Sequence, residues 1–417
     1  MSPDPGRRTF QLVWLNNFIT AIGMMGFLPL FPLLLRDLGL HDDAEVKVWS
    51  GLLAGAAPLT AAFMGPVWGV VGDRIGRKPM MVRANLAITL FVGAMALAKT
   101  PEQLLLLRLA QGLFSGFIAP SITLVSVNTP LHRQGHVTGL LSTAVMAGSL
   151  IGPTLGGLVA DHASFAWVFV ACAALSAAAA ALVAWGVREE RPRAADGTPA
   201  APLRAGTVFA ALRADLALFW RPGPLRTVVA IVFVTRFGMR LVDPVLALWV
   251  EHLGDTPPER LGTVTGSLFS ASALATLLFT PLWGRFGDRR GHGRVLVACA
   301  GVGAACYVAQ GLVTSVAPLW PLRFVANAFL SGCQPAAFAL AAHASAEERR
   351  GATLGLAFGS QVLANAAGPA AGGLLASVIG LRELFLLSAA LMALAALRAW
   401  QRAATLAAQE PASARPG

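Results

Sequence analysis

The chain has 417 residues, of which 56% are hydrophobic and only 13% are charged, and its mean hydropathy is +0.65. Soluble domains are typically about 45–50% apolar and about 25% charged, so this composition excludes an ordinary soluble protein and favours one that lies mostly within a membrane. The formal net charge of +11 is not a nucleic-acid signal, because the sequence shows no basic face interleaved with exposed aromatic residues.

Apolar runs recur along the chain, each near the roughly 20 residues that a helix needs to cross a hydrocarbon core of about 30 Å. A segment in lipid must satisfy its own backbone hydrogen bonds, so we expect these runs to be helices. The predicted helices of the first half cover residues 10–35, 47–71, 79–98, 101–127, 136–160 and 163–186, and those of the second half cover 225–250, 261–284, 295–315, 317–343, 352–376 and 381–402.

One long break separates the two sets of helices. Its first part is rich in Pro, Ala and Arg, which is typical of a linker. In its second part, between Val208 and Trp220, apolar residues recur at helical spacing, which predicts an amphipathic helix on the inner membrane surface. The sequence therefore predicts a six-helix half over residues 1–186, a cytoplasmic linker over 187–224, and a second six-helix half with a short cytoplasmic tail over 225–417.

The gaps between the predicted helices differ in charge. Gaps on one side of the membrane hold most of the Arg and Lys residues, including those around Arg74, Arg188 and Arg285. Gaps on the other side hold few basic residues and carry Asp and Glu, as at Asp42 and Glu251. Because cytoplasmic loops carry the excess of Lys and Arg, this bias predicts that both termini are cytoplasmic.

The two sets of helices share motifs in register. The gap after the predicted second helix contains Gly69-x-x-Gly72-Asp73-Arg74-x-Gly76-Arg77-Lys78, and the gap after the eighth contains Gly284-x-x-Gly287-Asp288-Arg289-x-Gly291. Arg108 and Arg323 are 215 residues apart, as are Asp73 and Asp288. A series of matches in register predicts a membrane protein built from two parallel, pseudo-symmetric halves.

The motif after the second helix contains the side chains of a breakable contact between the halves. Asp73 can accept hydrogen bonds from the N–H groups at the N-terminus of a facing helix, where the helix dipole favours an anion. Arginines beside it can bind carboxylates or helix carbonyl ends. We predict a conformational latch formed by Gly69, Asp73, Arg74, Gly76 and Arg77, with a weaker second copy at Asp288 and Arg289. The alternative is a basic loop that only sets membrane topology.

The predicted fifth helix carries small residues at helical intervals. Such residues let a second helix approach closely, and a proline among them removes a backbone donor and bends the helix. We predict a helix seam that prevents ion leakage while the halves move, formed by Gly148, Gly152, Pro153, Gly156 and Gly157. The alternative is a generic packing face. The eleventh helix repeats the Gly-Pro-x-x-Gly-Gly element at residues 368–373.

Charged residues inside membrane spans cost about 2.5–3.5 kcal/mol each on insertion scales and therefore indicate function. The predicted spans hold Arg108, Arg236, Arg240, Asp243 and Arg323. Asp243 is the carboxylate placed deepest in a predicted span, and the proline that follows it is expected to break the helix. We predict that Asp243 is the proton-coupling group and that Arg240, on the same helix face, tunes it. The alternatives are that Asp243 only neutralises Arg240 and orders the helix, or that it lies near the outer interface.

Polar side chains at helical spacing predict the wall of a central substrate cavity. Arginine that faces lipid is unfavourable, so the polar stripes that contain Arg108 and Arg323 are expected to face the interior of the protein. The predicted cavity residues are Asn16, Asn17, Gln111, Arg236, Arg323, Asn327, Gln361 and Asn365.

These features together resemble the major facilitator superfamily and, within it, the twelve-helix drug:proton antiporters. The loop around Asp73 resembles the superfamily's loop motif, and the glycine ladder of the fifth helix resembles the antiporter signature. The element Arg108-x-x-Gln111-Gly112-x3-Gly116 resembles the family's proton-coupling arginine motif. The resemblance covers nearly the whole chain. It implies an all-α major facilitator fold with about twelve helices in two six-helix halves, alternating access about a central site, and a coupling role for Arg108.

One departure from the family concerns the substrate. Many multidrug antiporters of this family carry an acidic residue in the first helix, whereas that helix here offers Asn16 and Asn17 and no carboxylate before Asp37. Four arginines against one aspartate in the predicted spans favour a neutral or anionic amphiphile over a lipophilic cation.

We therefore predict a proton-coupled antiporter that exports small amphiphilic molecules or drugs across the bacterial cytoplasmic membrane. Its expected partners are a small-molecule substrate, protons and the lipid bilayer, without nucleic acid, and it is expected to be a monomer. The alternatives are efflux of a sugar or other metabolite and a non-transporting membrane sensor. The sequence shows no catalytic triad, nucleotide loop or metal-ligand spacing, which predicts that the protein is not an enzyme and uses no metal or cofactor.

Overall fold

Residues 5–127, 129, 131–187, 189, 224–343 and 350–401 are described by the structure, which is a computed structural model. Nearly all of these residues are helical, and the described ranges contain no β-strand. The amphipathic helix predicted between Val208 and Trp220 lies outside the described residues, as does most of the predicted linker.

The described residues form twelve spanning segments in two sets of six. The first half contains α1 (Pro5–Gly26, Leu28–Leu30 and Phe31–Asp37), α2 (Asp43–Ile75), α3 (Arg77–Met95), α4 (Pro101–Phe114 and Ile118–Val127), α5 (Leu131–His162) and α6 (Phe165–Gly186). The second half contains α7 (Pro224–Val242, Asp243–Val245 and Leu246–Leu253), α8 (Leu261–Arg290), α9 (His292–Leu312), α10 (Leu319–Leu330 and Cys333–His343), α11 (Arg350–Ile379) and α12 (Leu381–Gln401). The predicted all-helical architecture in two halves is confirmed.

Ten of these segments are long and apolar enough to cross a membrane by length and composition alone. The other two segments, α3 and α7, have sufficient length but carry more charge. Arg77, Lys78 and Arg83 lie in the first two turns of α3, and α7 contains Arg236 and Arg240. The charged residues that indicate function in the sequence are thus the same ones that lower the mean hydropathy of α7.

Four of the spanning segments are interrupted, and they are the first and fourth segments of each half. In α1 and α7 the interruption is a short 3-10 turn that contains Pro29 or Pro244, whose ring removes a backbone donor. In α4 the interruption falls at Gly116, whose backbone φ is +122°. Glycine adopts this conformation readily, and other residues adopt it rarely. In α10 it falls at Ser331. The break at Pro244 was expected from the sequence, whereas the other three segments were predicted as continuous helices.

The two halves meet through two pairs of antiparallel helices. α5 packs along α8, and α2 packs along α11, so that each pair joins one half to the other. Within the halves, α1 packs along α5 and α7 packs along α11. The helices α5 and α11 therefore each have two close neighbours, one in their own half and one in the opposite half.

Candidate functional site

The helix pairs that join the halves are in backbone contact at one end of the molecule. We call the end with the loops after α2 and α8 the basic end, and the end at which α2 and α8 begin the far end. At the far end, a Cβ atom added to Gly51 would lie 2.5 Å from the carbonyl oxygen of Pro369, and one added to Gly55 would lie 2.6 Å from that of Ala366. A Cβ atom added to Gly157 would overlap the backbone of α8. Side chains larger than hydrogen are therefore excluded at these three positions.

The same helix pairs are apart at the basic end. Here the glycines of the joining helices would meet no atom within 4 Å if a Cβ were added: Gly65 and Gly69 of α2, Gly139 of α5, Gly284 of α8, and Gly355 and Gly359 of α11. The halves are therefore in backbone contact at the far end and lack such contact at these glycines of the basic end, which we interpret as a space between the halves that opens at the basic end.

The glycine ladder of α5 has two faces with different partners. Gly148, Gly152 and Gly156 face α1 of the same half, and Cβ atoms added to them would meet backbone atoms around Phe18, Ile22 and Gly26. Gly157 and the carbonyl of Pro153 instead face α8 of the opposite half. The seam predicted from the sequence thus divides into a face that holds one half together and a face that closes against the other half.

The repeated element in α11 divides in the same way. Cβ atoms added to Gly368 and Gly372 would meet α7 of the same half, at Arg240 and Leu241. Gly373 instead faces α2 of the opposite half. The repetition of the Gly-Pro-x-x-Gly-Gly element in the sequence therefore has a structural reason, since both inter-half contacts use it.

An ion cluster lies at the interruption of α7. One carboxylate oxygen of Asp243 lies 2.9 Å from Nη1 of Arg240, and the other lies 3.3 Å from Nη2 of Arg323 on α10. Nε of Arg240 donates to the side chain of Asn365 on α11 at 3.0 Å. The side chain of Asp243 is 21% exposed and that of Arg323 is 2% exposed. A single carboxylate thus links α7 to α10 directly and to α11 through Arg240.

The other polar residues predicted for the second half surround this cluster. Arg236 donates to the side chain of Gln334 on α10, and Asn327 donates to the backbone carbonyl of Arg323 at 2.9 Å. The side-chain oxygen of Gln361 is buried without a hydrogen-bond partner among the described residues. The structure therefore brings the predicted residues onto three adjoining helices: Arg236 and Arg240 on α7, Arg323 and Asn327 on α10, and Gln361 and Asn365 on α11.

Arg108 is buried beside the interruption of α1. Its Nε donates to the carbonyl of Leu53 on α2 at 3.0 Å, and its Nη1 donates to Gln111 at 2.6 Å. The guanidinium also lies over the rings of Phe27 and Phe31, at 5.5 and 5.4 Å from their centroids. These contacts fix the side chain against α1 and α2 through neutral acceptors and aromatic faces.

The two halves differ in the charge that lies beside these buried arginines. Arg323 is the counterpart of Arg108, 215 residues further along the chain, and both are 2% exposed. The residue that stands 215 positions before Asp243 is Leu28. The second half therefore has a carboxylate beside its buried arginine, where the first half has an aliphatic side chain.

Asn16 and Asn17 lie in the interior of the first half, 0% and 1% exposed. Asn17 donates to Ser121 on α4 at 3.0 Å, and Thr20 donates to Asn85 on α3 at 3.1 Å. The amide of Asn16 is 2.7 Å from that of Asn85 and 3.1 Å from that of Asn17. The five side chains satisfy one another, as buried polar groups must. In this conformation they join α1, α3 and α4, so a contact of Asn16 or Asn17 with substrate stays a prediction.

The loop around Asp73 is held by contacts within the first half. Asp73 is ion-paired with Arg77, one turn further on. Glu189, after α6, accepts the backbone N–H groups of Arg77 and Lys78 at 2.6 and 2.8 Å and so caps α3. Gly76 has a φ of +107°, and an added Cβ there would lie 2.8 Å from the Glu189 carboxylate. Glu189 was not identified from the sequence, because the residue it contacts, Arg77, is 112 positions away along the chain.

The second copy of the loop is held differently. Asp288 lies 3.4 Å from Nε2 of His292, and the ring of His292 packs against Gly287. Arg74 and Arg289 lie in the last turns of α2 and α8. Since the halves are apart at the basic end, a latch contact between them through Asp73 stays a prediction for a state in which that end is closed.

Two six-helix halves joined by two helix pairs, with a buried arginine beside the interrupted first helix of each half, are the architecture of a membrane transporter. The sequence profile described as Major Facilitator Superfamily matches residues 13–254 and 228–416. The chain belongs to the Major Facilitator Superfamily, and as a transporter it is not an enzyme.

Similar proteins agree with this assignment. The chain is 30% identical over 316 residues to the multi-drug resistance efflux pump PmrA of Streptococcus pneumoniae, over 76% of each chain. It is 29% identical over 408 residues to the multidrug resistance protein MdtG of Serratia proteamaculans, over 96% of each chain. A bacterial homolog of the human lysosomal transporter Spinster, solved in an inward-facing and occupied conformation, has a TM-score of 0.77 at 16% identity, over 99% of this chain and 100% of that chain. That last likeness shows the fold alone.

The two faces of the α5 ladder lead to a prediction about neighbouring glycines. Gly156→Leu forces α1 and α5 apart within one half, and we expect it to lower the free energy of unfolding by about 1–3 kcal/mol or more, as overpacking does. Gly157→Leu acts only where α5 meets α8, so we expect a folded protein whose far end cannot close. Thermal unfolding in detergent measures the loss of stability in Gly156→Leu. The control is Gly139→Leu, because an added Cβ at Gly139 would meet no atom within 4 Å. Equal losses in Tm for Gly156→Leu and Gly157→Leu would contradict the division.

The loop contacts lead to a second prediction. Asp73→Asn and Arg77→Ala both remove the Asp73–Arg77 ion pair, and we expect each to impair transport by membrane vesicles while insertion and folding stay intact. Asp288→Asn is the matched control in the second half, where we expect a smaller effect because the loop lacks a second basic pair. Normal transport in both first-half variants would leave the loop with a role in topology only.

Proposed function

We propose that the protein exports small amphiphilic molecules or drugs across the bacterial cytoplasmic membrane in exchange for protons, by alternating access. In this proposal the basic end and both termini face the cytoplasm, since loops with an excess of Lys and Arg do so. The halves 1–186 and 225–417 rock about the central region as one monomer, joined by the linker 187–224. The multidrug efflux names of the relatives support export of drugs.

The observation that carries the proposal is the position of Asp243. It stands ten residues before the end of α7 at Leu253, which is about 15 Å at a helical rise of 1.5 Å per residue. That is about half of a hydrocarbon core of about 30 Å. An ionisable residue at such a depth is expensive and is expected to act in the movement of ions or substrate.

The contacts of Asp243 suggest how proton binding and helix position are coupled. In its charged form the carboxylate balances Arg240 and Arg323 and so holds α7 against α10 and, through Arg240, α11. Protonation removes the negative charge and leaves two guanidinium groups near each other without a counter-ion. The charged and protonated forms therefore favour different arrangements of these three helices, as a two-state transporter requires.

The remaining charges bear on the substrate. Asp243 is shared by Arg240 and Arg323, whereas Arg108 and Arg236 donate hydrogen bonds to neutral acceptors. The central region thus has an excess of positive charge when Asp243 is ionised. We propose a neutral or anionic amphiphile as the substrate, because a lipophilic cation would be repelled there.

The role of Asp243 predicts the behaviour of Asp243→Asn. The amide imitates the protonated acid, so we expect pH-gradient-driven export to be lost while downhill counterflow of substrate is retained. The direct measurement is proton release when substrate is added to purified protein in weak buffer, which we expect to disappear. Glu251→Gln, near the far end of the same helix, is the control and should release protons normally. Proton release that persists in Asp243→Asn, or is lost in Glu251→Gln instead, would move the coupling site.

Arg108 gives a fourth prediction. Arg108→Ala removes the donors to Leu53 and Gln111, and we expect coupled export to be lost. Arg108→Lys keeps the charge but cannot reproduce the guanidinium's separate Nε and Nη1 contacts, so we expect partial export. The ratio of pH-driven export to downhill counterflow separates coupling from binding. An unchanged ratio in Arg108→Ala would assign Arg108 to helix packing.

A further inference from the structure

The equivalent helices α2 and α8 have different caps at the far end. The first N–H groups of a helix have no partner within the helix and need an outside acceptor. In α2, the side chain of Asp42 at the N-cap accepts the N–H of Ala44 at 3.1 Å. In α8, the N-cap residue is Arg260, and it makes no side-chain hydrogen bond to the helix.

The cap of α8 is supplied by the opposite half. At the end of α5, one carboxylate oxygen of Asp161 accepts the N–H of Gly262 at 2.9 Å, and the other accepts the N–H of Thr263 at 2.6 Å. The negative charge lies at the positive end of the helix dipole, which strengthens both hydrogen bonds. An added Cβ on Gly262 would lie 2.5 Å from the carboxylate, so the approach depends on glycine at this position.

We propose that Asp161 is a cross-half cap that favours the state with the far end closed and the basic end open. The proposal rests on the alternating access of the proposed function, but not on which substrate or ion is carried. When the far end opens, α5 and α8 separate there, and the N–H groups of Gly262 and Thr263 lose their acceptor. Asp42 and its partner belong to the same helix and stay together in every state. The energy of the Asp161 cap is therefore present in one state only.

Two further observations distinguish Asp161 from other residues at the far end. The counterpart of Asp161 on α11, 216 residues further on, is Ser377, and its hydroxyl donates to Leu374 within the same helix. Among the described residues, the ion pair between the halves at the far end joins Arg36 and Glu251 at 3.9 Å, with both side chains partly exposed. An exposed ion pair of this length contributes little. In the described part of the chain, the cap on α8 thus has no symmetric copy at the start of α2.

The test measures the conformational equilibrium directly. Spin labels placed on Ile75 and Leu354 report the separation of the halves at the basic end, and labels on Leu97 and Thr314 report the far end. Loss of a helix cap shifts an equilibrium roughly two- to thirty-fold. We therefore expect Asp161→Ala in the full chain to raise the ratio of far-end-open to far-end-closed molecules by that factor. Asp42→Ala, which removes a cap within one helix, should leave the ratio unchanged.

A second variant removes a donor of the cap and leaves the Asp161 carboxylate in place. Thr263→Pro removes one of the two donors, and proline is tolerated in the first turn of a helix. We expect it to shift the same ratio, and we expect the double variant with Asp161→Ala to shift it no further than Asp161→Ala alone. Unchanged distances in Asp161→Ala, an equal shift in Asp42→Ala, or additive shifts in the double variant would each overturn the proposal. These distances do not depend on proton release, so the outcome is separate from that of Asp243→Asn.

Discussion

Backbone contact between helices is the constraint on which the rest of the structure depends. α5 and α11 each lie against one helix of their own half and one of the other half, and both contacts require glycine. Packing between helices in lipid comes from close van der Waals contact and not from the hydrophobic effect, so a contact of this kind is sensitive to single methyl groups. The face toward α1 or α7 must persist, whereas the face toward α8 or α2 is expected to break in the proposed cycle. Two faces on one helix let a half move as a rigid body without loss of its internal packing.

Against this symmetric frame the charges are arranged asymmetrically. Buried arginines at equivalent places, Arg108 and Arg323, stand beside equivalent helix breaks, but Asp243 has Leu28 as its counterpart. Removing one member of a buried ion pair leaves an uncompensated charge, which is much more costly than the pair. Arg108 avoids this cost through the Leu53 carbonyl, Gln111 and two aromatic rings. The first half thus holds its buried arginine with neutral partners, and the second half holds its buried arginine with a carboxylate.

The sequence predicted the parts of the structure that depend on local pattern or on repetition. The helices, the two halves and the glycine ladder follow from apolar runs and a constant offset, and the break at Pro244 follows from one residue. Contacts between distant helices were not accessible. The sequence paired Asp243 with Arg240, three residues away in the same segment, but the ion pair with Arg323 joins residues 80 positions apart. Asn85 and Glu189 were missed for the same reason, since each is a single polar residue whose partners lie on other helices.

The contacts of Asp161 and Asp73 suggest how two rigid halves can have two stable arrangements. Asp161 places a carboxylate on the N-terminus of a helix in the opposite half at the far end, in the state described here. The predicted latch would do the same with Asp73 at the basic end, in the opposite state. While the basic end is open, Asp73 is satisfied by Arg77 within its own half and needs no partner across the opening. Each state then gains a charged cap that the other lacks. In the proposed cycle, proton binding at Asp243 has to outweigh the difference in stability between two such caps, which is the condition for a reversible switch.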